Sequence, residues 1–242
     1  MIPKNGGDPR NHAHGNVNLV FSRKDIHSGN IQEHLRRINH EFTDGFAFLK
    51  QYPRSVTVFG SSLIKSDNQN YRLAEEFGRR VVQKLSYAII TGGGSGIMEA
   101  ANKGAYEAGG ISIGLNISLP HEHSINPFVT HSLKFSYFFS RKVIMTFAAE
   151  AYVFFPGGYG TFDELFNILM LIQTGKMPRV PVVLFDSIFW KAFLVFAKET
   201  MCEKYHTIDS SNLDLFHITD SLEETIDMVG VAPVSEWWRG IN

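Results

Sequence analysis

Apolar residues near the start of the chain recur at helical spacing. Ile31, Leu35, Ile38, Phe42, Phe46 and Leu49 fall three or four apart, which predicts an amphipathic helix over 29–50. Beyond Pro53 the pattern changes, and short, nearly continuous apolar runs alternate with segments of helical period. The runs "SVTVFG" (55–60), "YAIITGG" (87–93), "ISIGLNI" (111–117), "AYVFF" (151–155) and "VPVVLFD" (180–186) predict strands, and "LFHIT" (215–219) a short one. Helices are predicted over 70–86, 96–109, 138–150, 161–174, 187–204 and 221–229, the first with Leu73, Phe77, Val81 and Leu85 inward. Ser118 to Tyr137 is expected to be a long connection.

Strands apolar on both faces, alternating with helices, imply a parallel sheet covered on both sides. The fold class is therefore α/β: a Rossmann-like open parallel sheet with helices on both faces and an N-terminal helical extension. One such nucleotide-binding domain is expected over 29–242, after a polar, Gly/Pro/Asn-rich arm at 1–28.

A length of 242 residues, 44% hydrophobic and 19% charged, describes a globular chain able to bury a substantial core. The net charge of −1 gives no support for wholesale binding to nucleic acid or an acidic membrane, while leaving room for a local anion site. No apolar stretch reaches a membrane span. Cys202 stands alone, which suits a reducing compartment, and the first residues lack a signal-peptide core, so a cytoplasmic protein is expected.

Three Gly- or Ser-rich turns fall at the predicted carboxyl ends of strands: "FGSS" (59–62), "TGGGSGIME" (91–99) and "PGGYGTFDE" (156–164). Ligands of open parallel sheets bind at that edge, where backbone can approach them and helix N-termini favour anions. Any one turn is weak evidence, because tight strand–helix turns need glycine anyway. Three converging on one edge are harder to dismiss. The "GGGSGIM" stretch lacks the Lys-Ser or Lys-Thr of a Walker loop, and no acidic residue ends the next strand to hold a ribose. A mononucleotide fits better than a dinucleotide.

Glu164 lies three residues after Thr161, about 4.5 Å along the axis and on nearly the same helical face. A phosphate on the N–H groups of Gly158 to Thr161 would leave Glu164 facing the attached sugar. Asp163 and Glu164 also complement the helix dipole, but two carboxylates beside one phosphate repel it unless one points elsewhere. Arg141-Lys142 begins a helix, where positive charge opposes the dipole. Its alternatives are a solvated surface pair or a cationic end reaching the Glu164 pocket. His121 and His123 lack a third ligand at metal spacing, so no metal site is expected. Trp237 and Trp238 are expected to pack a tail onto the body.

These motifs together resemble the family named after the plant "Lonely guy" cytokinin-activating enzyme, whose members are also described as possible lysine decarboxylases. The resemblance spans about 54–229 and rests on "GGGSGIMEAANKGA" (92–105), "LPHEHSINPFVTHSLKFSYFFSRK" (119–142) and "PGGYGTFDELFNILMLIQTGK" (156–176). It implies a Rossmann-like homodimer, without a cofactor, that hydrolyses the N-glycosidic bond of nucleoside 5′-monophosphates to free base and ribose 5-phosphate. It further implies that Arg141 and Glu164 are the catalytic pair, and that Gly157, Gly158, Gly160 and Thr161 form the phosphate loop. Gly92, Gly93, Gly94 and Met98 match positions lining the nucleotide pocket. The N-terminal arm and the stretch before Arg141 look like the longer bacterial members, which favours AMP or a related purine monophosphate over a cytokinin nucleotide. Some relatives of this fold carry a phosphorylated cofactor without hydrolysing it; the presence of both Arg141 and Glu164 favours the enzyme. Pyridoxal chemistry would need a Schiff-base lysine, and none lies in the three turns.

Overall fold

The computed structural model describes residues 31–52, 54–118 and 125–232. The expected arm at 1–28, His121 and His123, and Trp237 and Trp238 lie outside the described residues. Helix α1 (Ile31–Leu49) precedes an alternating run: β1 (Ser55–Phe59), α2 (Gln69–Leu85), β2 (Ala88–Thr91), α3 (Ile97–Glu107), β3 (Ser112–Ile117), β4 (His131–Phe135) and α4 (Phe138–Thr146). The run continues with β5 (Ala151–Phe154), α5 (Tyr159–Gln173), β6 (Val182–Phe185), α6 (Ser187–Val195), β7 (His217–Thr219) and α7 (Leu222–Gly230).

The strands form one sheet in the order β4-β3-β2-β1-β5-β6-β7, every pair parallel. The chain steps outward from β1 to β4, then returns to the other side of β1 to lay down β5. That reversal places the topological switch point at the carboxyl ends of β1 and β5. Alternate strand residues feed two cores. Val56, Val58, Ile89, Val153 and Val183 pack under α2, α3 and α7, whereas Phe59, Ile90, Tyr152, Phe154 and Leu184 pack with residues of α4, α5 and α6. Helices α2 and α3 meet at Gly78 and Gly104, where a side chain would run into the facing helix backbone.

Two expectations change. The connection from Ser118 to Tyr137 contains β4, which pairs with β3 at the sheet edge. Its residues are mostly exposed and polar, "HSLKF", so it carries no apolar run to announce it. The helix expected over 187–204 is α-helical to Val195 and then widens to π geometry over Phe196–Lys204.

Candidate active site

The three turns meet at the switch point and are stitched together by backbone. Ser61 N–H donates to Pro156 O at 3.0 Å, and Ile97 N–H donates to Ser61 O at 3.0 Å. The Ser95 hydroxyl donates to Ser62 O at 3.0 Å. Gly96, with φ of 70°, sits where a side chain would strike the Ser61 carbonyl. A buried polar layer fixes the second turn from behind. Thr91 Oγ1 accepts from Gly93 N–H at 2.9 Å and donates to Asn102 Oδ1 at 2.6 Å. Asn126 donates through its backbone to Gly93 O at 2.9 Å and through its amide to Gly94 O at 3.0 Å.

These turns wall a cleft of about 290 Å³. It brings together Gly92, Met98, Arg141, Gly158, Gly160, Thr161 and Glu164, all singled out in the sequence. Gly93, Gly94 and Gly157 are not among its lining residues. Gly93 (φ 72°) packs against Gly114, and a side chain on Gly94 would collide with Met98. At Gly157 a Cβ would stand 2.6 Å from Thr161 Cβ, so glycine there lets Thr161 fold back over the turn. The cleft also holds Phe59, Gly60, Ser61 and Ser62 of the first turn, which the sequence places at the ligand edge, and Leu63 and Met145, which it does not. Met145 shares a helical face with Arg141 at i+4 spacing, so that signal was available.

Helices α2, α6 and α7 begin with a side-chain cap from Asn68, Asp186 and Ser221. The three helices that start at the cleft, α3, α4 and α5, have none. At α5 the Thr161 N–H is already donated to Gly158 O at 3.0 Å. The N–H groups left without an intrahelical acceptor at this start are therefore those of Gly158, Tyr159 and Gly160, rather than the full run to Thr161.

Glu164 is buried, 5% exposed, and its Oε2 has no hydrogen-bond partner. Burial pushes its carboxyl up to about 7, against the opposing pull of Lys142 and Arg141, with Asp163 adding to the rise. Arg141 is half-buried, with its Nε orphaned. Burial lowers its pKa from the ordinary range, while Glu164 and Asp163 push the other way. Its guanidinium carbon stands 5.4 Å from the centre of the Phe138 ring. Among the described residues five buried side-chain polar atoms lack a partner, and two of them, Arg141 Nε and Glu164 Oε2, belong to residues that line the cleft.

The chain matches the profile of the family described as "Possible lysine decarboxylase" over residues 98–229. It belongs to that family, the Lonely guy family. The cytokinin riboside 5′-monophosphate phosphoribohydrolase of Rhodococcoides fascians is 26% identical over 165 residues, covering 64% of this chain and 79% of that one. The protein of that name with the suffix LOG from Oryza sativa subsp. japonica is 28% identical over 163 residues, covering 66% of each chain. Among solved structures, the molybdenum cofactor binding protein of the phototrophic bacterium Rippkaea orientalis aligns with a TM-score of 0.53 at 21% identity. The alignment covers 72% of this chain and 93% of that one, a likeness of fold.

Within this Lonely guy member the matched span holds Met98, Arg141 and the whole "PGGYGTFDE" turn, while Gly92 to Gly94, the "FGSS" turn and α1 precede it. Among the described residues no lysine lines the cleft. Among the described residues no three His, Cys, Asp or Glu side chains converge as a metal site would require, and no helix is long and apolar enough to cross a membrane.

Proposed function

We propose that this protein hydrolyses the N-glycosidic bond of a nucleoside 5′-monophosphate, AMP or a related purine nucleotide, giving free base and ribose 5-phosphate. The observation that carries the reading is Glu164: a buried carboxyl with a free oxygen, raised to about 7, one turn into a helix whose uncapped start faces the same cleft. A cleft of about 290 Å³ lies just below the roughly 300–1,000 Å³ usual for ligand sites, which suits a small ligand. The 5′-phosphate would lie on the start of α5 and the sugar against Glu164.

As the bond from C1′ to the base nitrogen breaks, positive charge develops on the sugar, as in glycoside hydrolysis. Ionised Glu164 stabilises that charge and takes a proton from the water that adds to C1′. The bonding pair leaves on the base nitrogen, which is then protonated. A base with a pKa near 7 is matched to this task at neutral pH. Arg141 cannot give up its proton usefully; its role is to hold Glu164 and substrate in register and to balance charge.

The second reading, a carrier that binds a phosphorylated ligand and leaves it intact, is favoured by the fold likeness to a molybdenum cofactor binding protein. One experiment separates them. Purified protein is incubated with AMP, GMP, CMP, UMP, adenosine and ATP, and free base and ribose 5-phosphate are quantified. Base and ribose 5-phosphate in equal amounts from a monophosphate, with adenosine far slower, support the hydrolase; tight binding with every nucleotide recovered intact supports the carrier.

A further inference from the structure

Two contacts tie α1 to the segment that opens α4, the helix that carries Arg141. Glu41 Oε1 accepts a hydrogen bond from the Ser136 N–H, just ahead of α4, at 2.6 Å. His34 Nδ1 lies 2.7 Å from the Tyr137 hydroxyl. Tyr137 is buried, and its carbonyl accepts the Arg141 N–H at 3.1 Å. Farther along, the two helices come into direct contact: a Cβ on Gly45 would stand 2.6 Å from Ile144 Cδ1, and Ile144 is fully buried.

Arg141 needs such support. Its Nε has no partner, no ion pair among the described residues holds it, and the Phe138 ring beneath it is itself exposed. Helix α4 has nine residues and no side-chain cap of its own. A helix that short holds its first turn only through tertiary contacts. The Glu41 carboxylate also places negative charge at the helix start, where Arg141 opposes the dipole.

We propose that Glu41 and His34 are positioning residues for Arg141: α1 fixes the first turn of α4 and so sets where the guanidinium stands relative to Glu164. Helix α1 precedes the family-matched span of 98–229. The inference rests on reading Arg141 as the cation of a hydrolytic pair, but its claim about side-chain order can be measured without turnover.

The test uses full-length Glu41→Ala, Glu41→Gln and Tyr137→Phe. Glutamine keeps an oxygen that can accept from Ser136, alanine does not, and phenylalanine removes the hydroxyl that meets His34. Three quantities are read: the Arg141 Nε–H resonance, assigned by its loss in Arg141→Lys; the thermal midpoint; and kcat and KM for AMP. For Glu41→Ala the expected result is a midpoint within about 4 °C of wild type. Its Arg141 signal should be broadened or lost, with kcat lower by about 10- to 100-fold and KM within about twofold. Glu41→Gln should restore signal and kcat, and Tyr137→Phe should reproduce the alanine pattern in milder form. A wild-type Arg141 signal in Glu41→Ala overturns the proposal, as does a fallen midpoint with unchanged kcat per folded molecule. If Glu41→Ala does not fold, Tyr137→Phe against wild type decides in the same way. If wild-type protein leaves AMP intact, the hydrolase reading fails, and the resonance comparison alone supports or overturns the positioning role.

Discussion

Lys142 closes an ion pair with Asp163 on the exposed side of the α4–α5 junction. Of the two adjacent acids at the start of α5, only Glu164 enters the cleft. The two acids are thereby set apart: Asp163 is turned outward and paired with Lys142, and Glu164 is buried and raised. Neighbouring carboxyls with environments this different take different chemical roles.

Lys142→Met should therefore move the pH profile. The Lys142 ammonium favours ionised Glu164, and the Asp163 carboxylate it neutralises disfavours it. Removing the ammonium pushes Glu164 above its value of about 7, so the acid limb of kcat/KM for AMP shifts to higher pH while activity on the alkaline plateau survives. An acid limb in the wild-type position would show that Lys142 does not act on Glu164.

Glu164 should cost stability at neutral and alkaline pH. The folded chain holds its proton up to about 7 and the unfolded chain releases it near 4.5, so stability falls as pH rises between these values. The displacement is worth on the order of 3 kcal/mol. Glu164→Gln should unfold at higher denaturant than wild type at pH 8, and the advantage should vanish at pH 4. Equal midpoints at pH 8 would mean that the carboxyl is not raised.

Gly160→Ala should separate folding from binding. A Cβ there meets nothing outside its own helix turn within 4 Å, and the position is in the first turn of α5, so alanine should leave stability within about 0.5 kcal/mol of wild type. The same methyl enters the cleft and should raise KM for AMP several-fold. Gly157→Ala, whose Cβ would stand 2.6 Å from Thr161 Cβ, should instead lose both stability and binding. Thermal midpoints and KM for the two variants check this; an unchanged KM in Gly160→Ala would remove the phosphate from the start of α5.

The turns were legible because three Gly- or Ser-rich stretches each follow a strand of one parallel sheet, whose pattern brings them to a single edge. Strand β4 was not, because an exposed edge strand such as "HSLKF" needs no apolar face. The pairing of Lys142 with Asp163 was equally hidden, since it depends on how α4 and α5 cross and not on either helix's spacing. So was the approach of Gly45 to Ile144, a contact between residues far apart in the chain.

A homodimer is expected from the surface of α4 and α5. Phe138 (57%), Phe139 (44%), Phe166 (45%) and Met170 (47%) leave large apolar area exposed on these two helices. A two-fold pairing is the commonest way to cover such a face. Light scattering at micromolar concentration should give twice the chain mass, and Phe166→Glu should halve it. A monomer mass for the wild type would count against the pairing.

The central claim is that Glu164 breaks a ribose–base bond. The most direct measurement follows AMP by proton NMR with wild type and Glu164→Gln side by side, together with AMP affinity for each. Wild type should release adenine and ribose 5-phosphate in equal amounts, and the variant should bind AMP within a few-fold while its rate falls by about 100-fold or more. Adenine released by the variant at a rate near wild type, or AMP left intact by both proteins, would contradict the account.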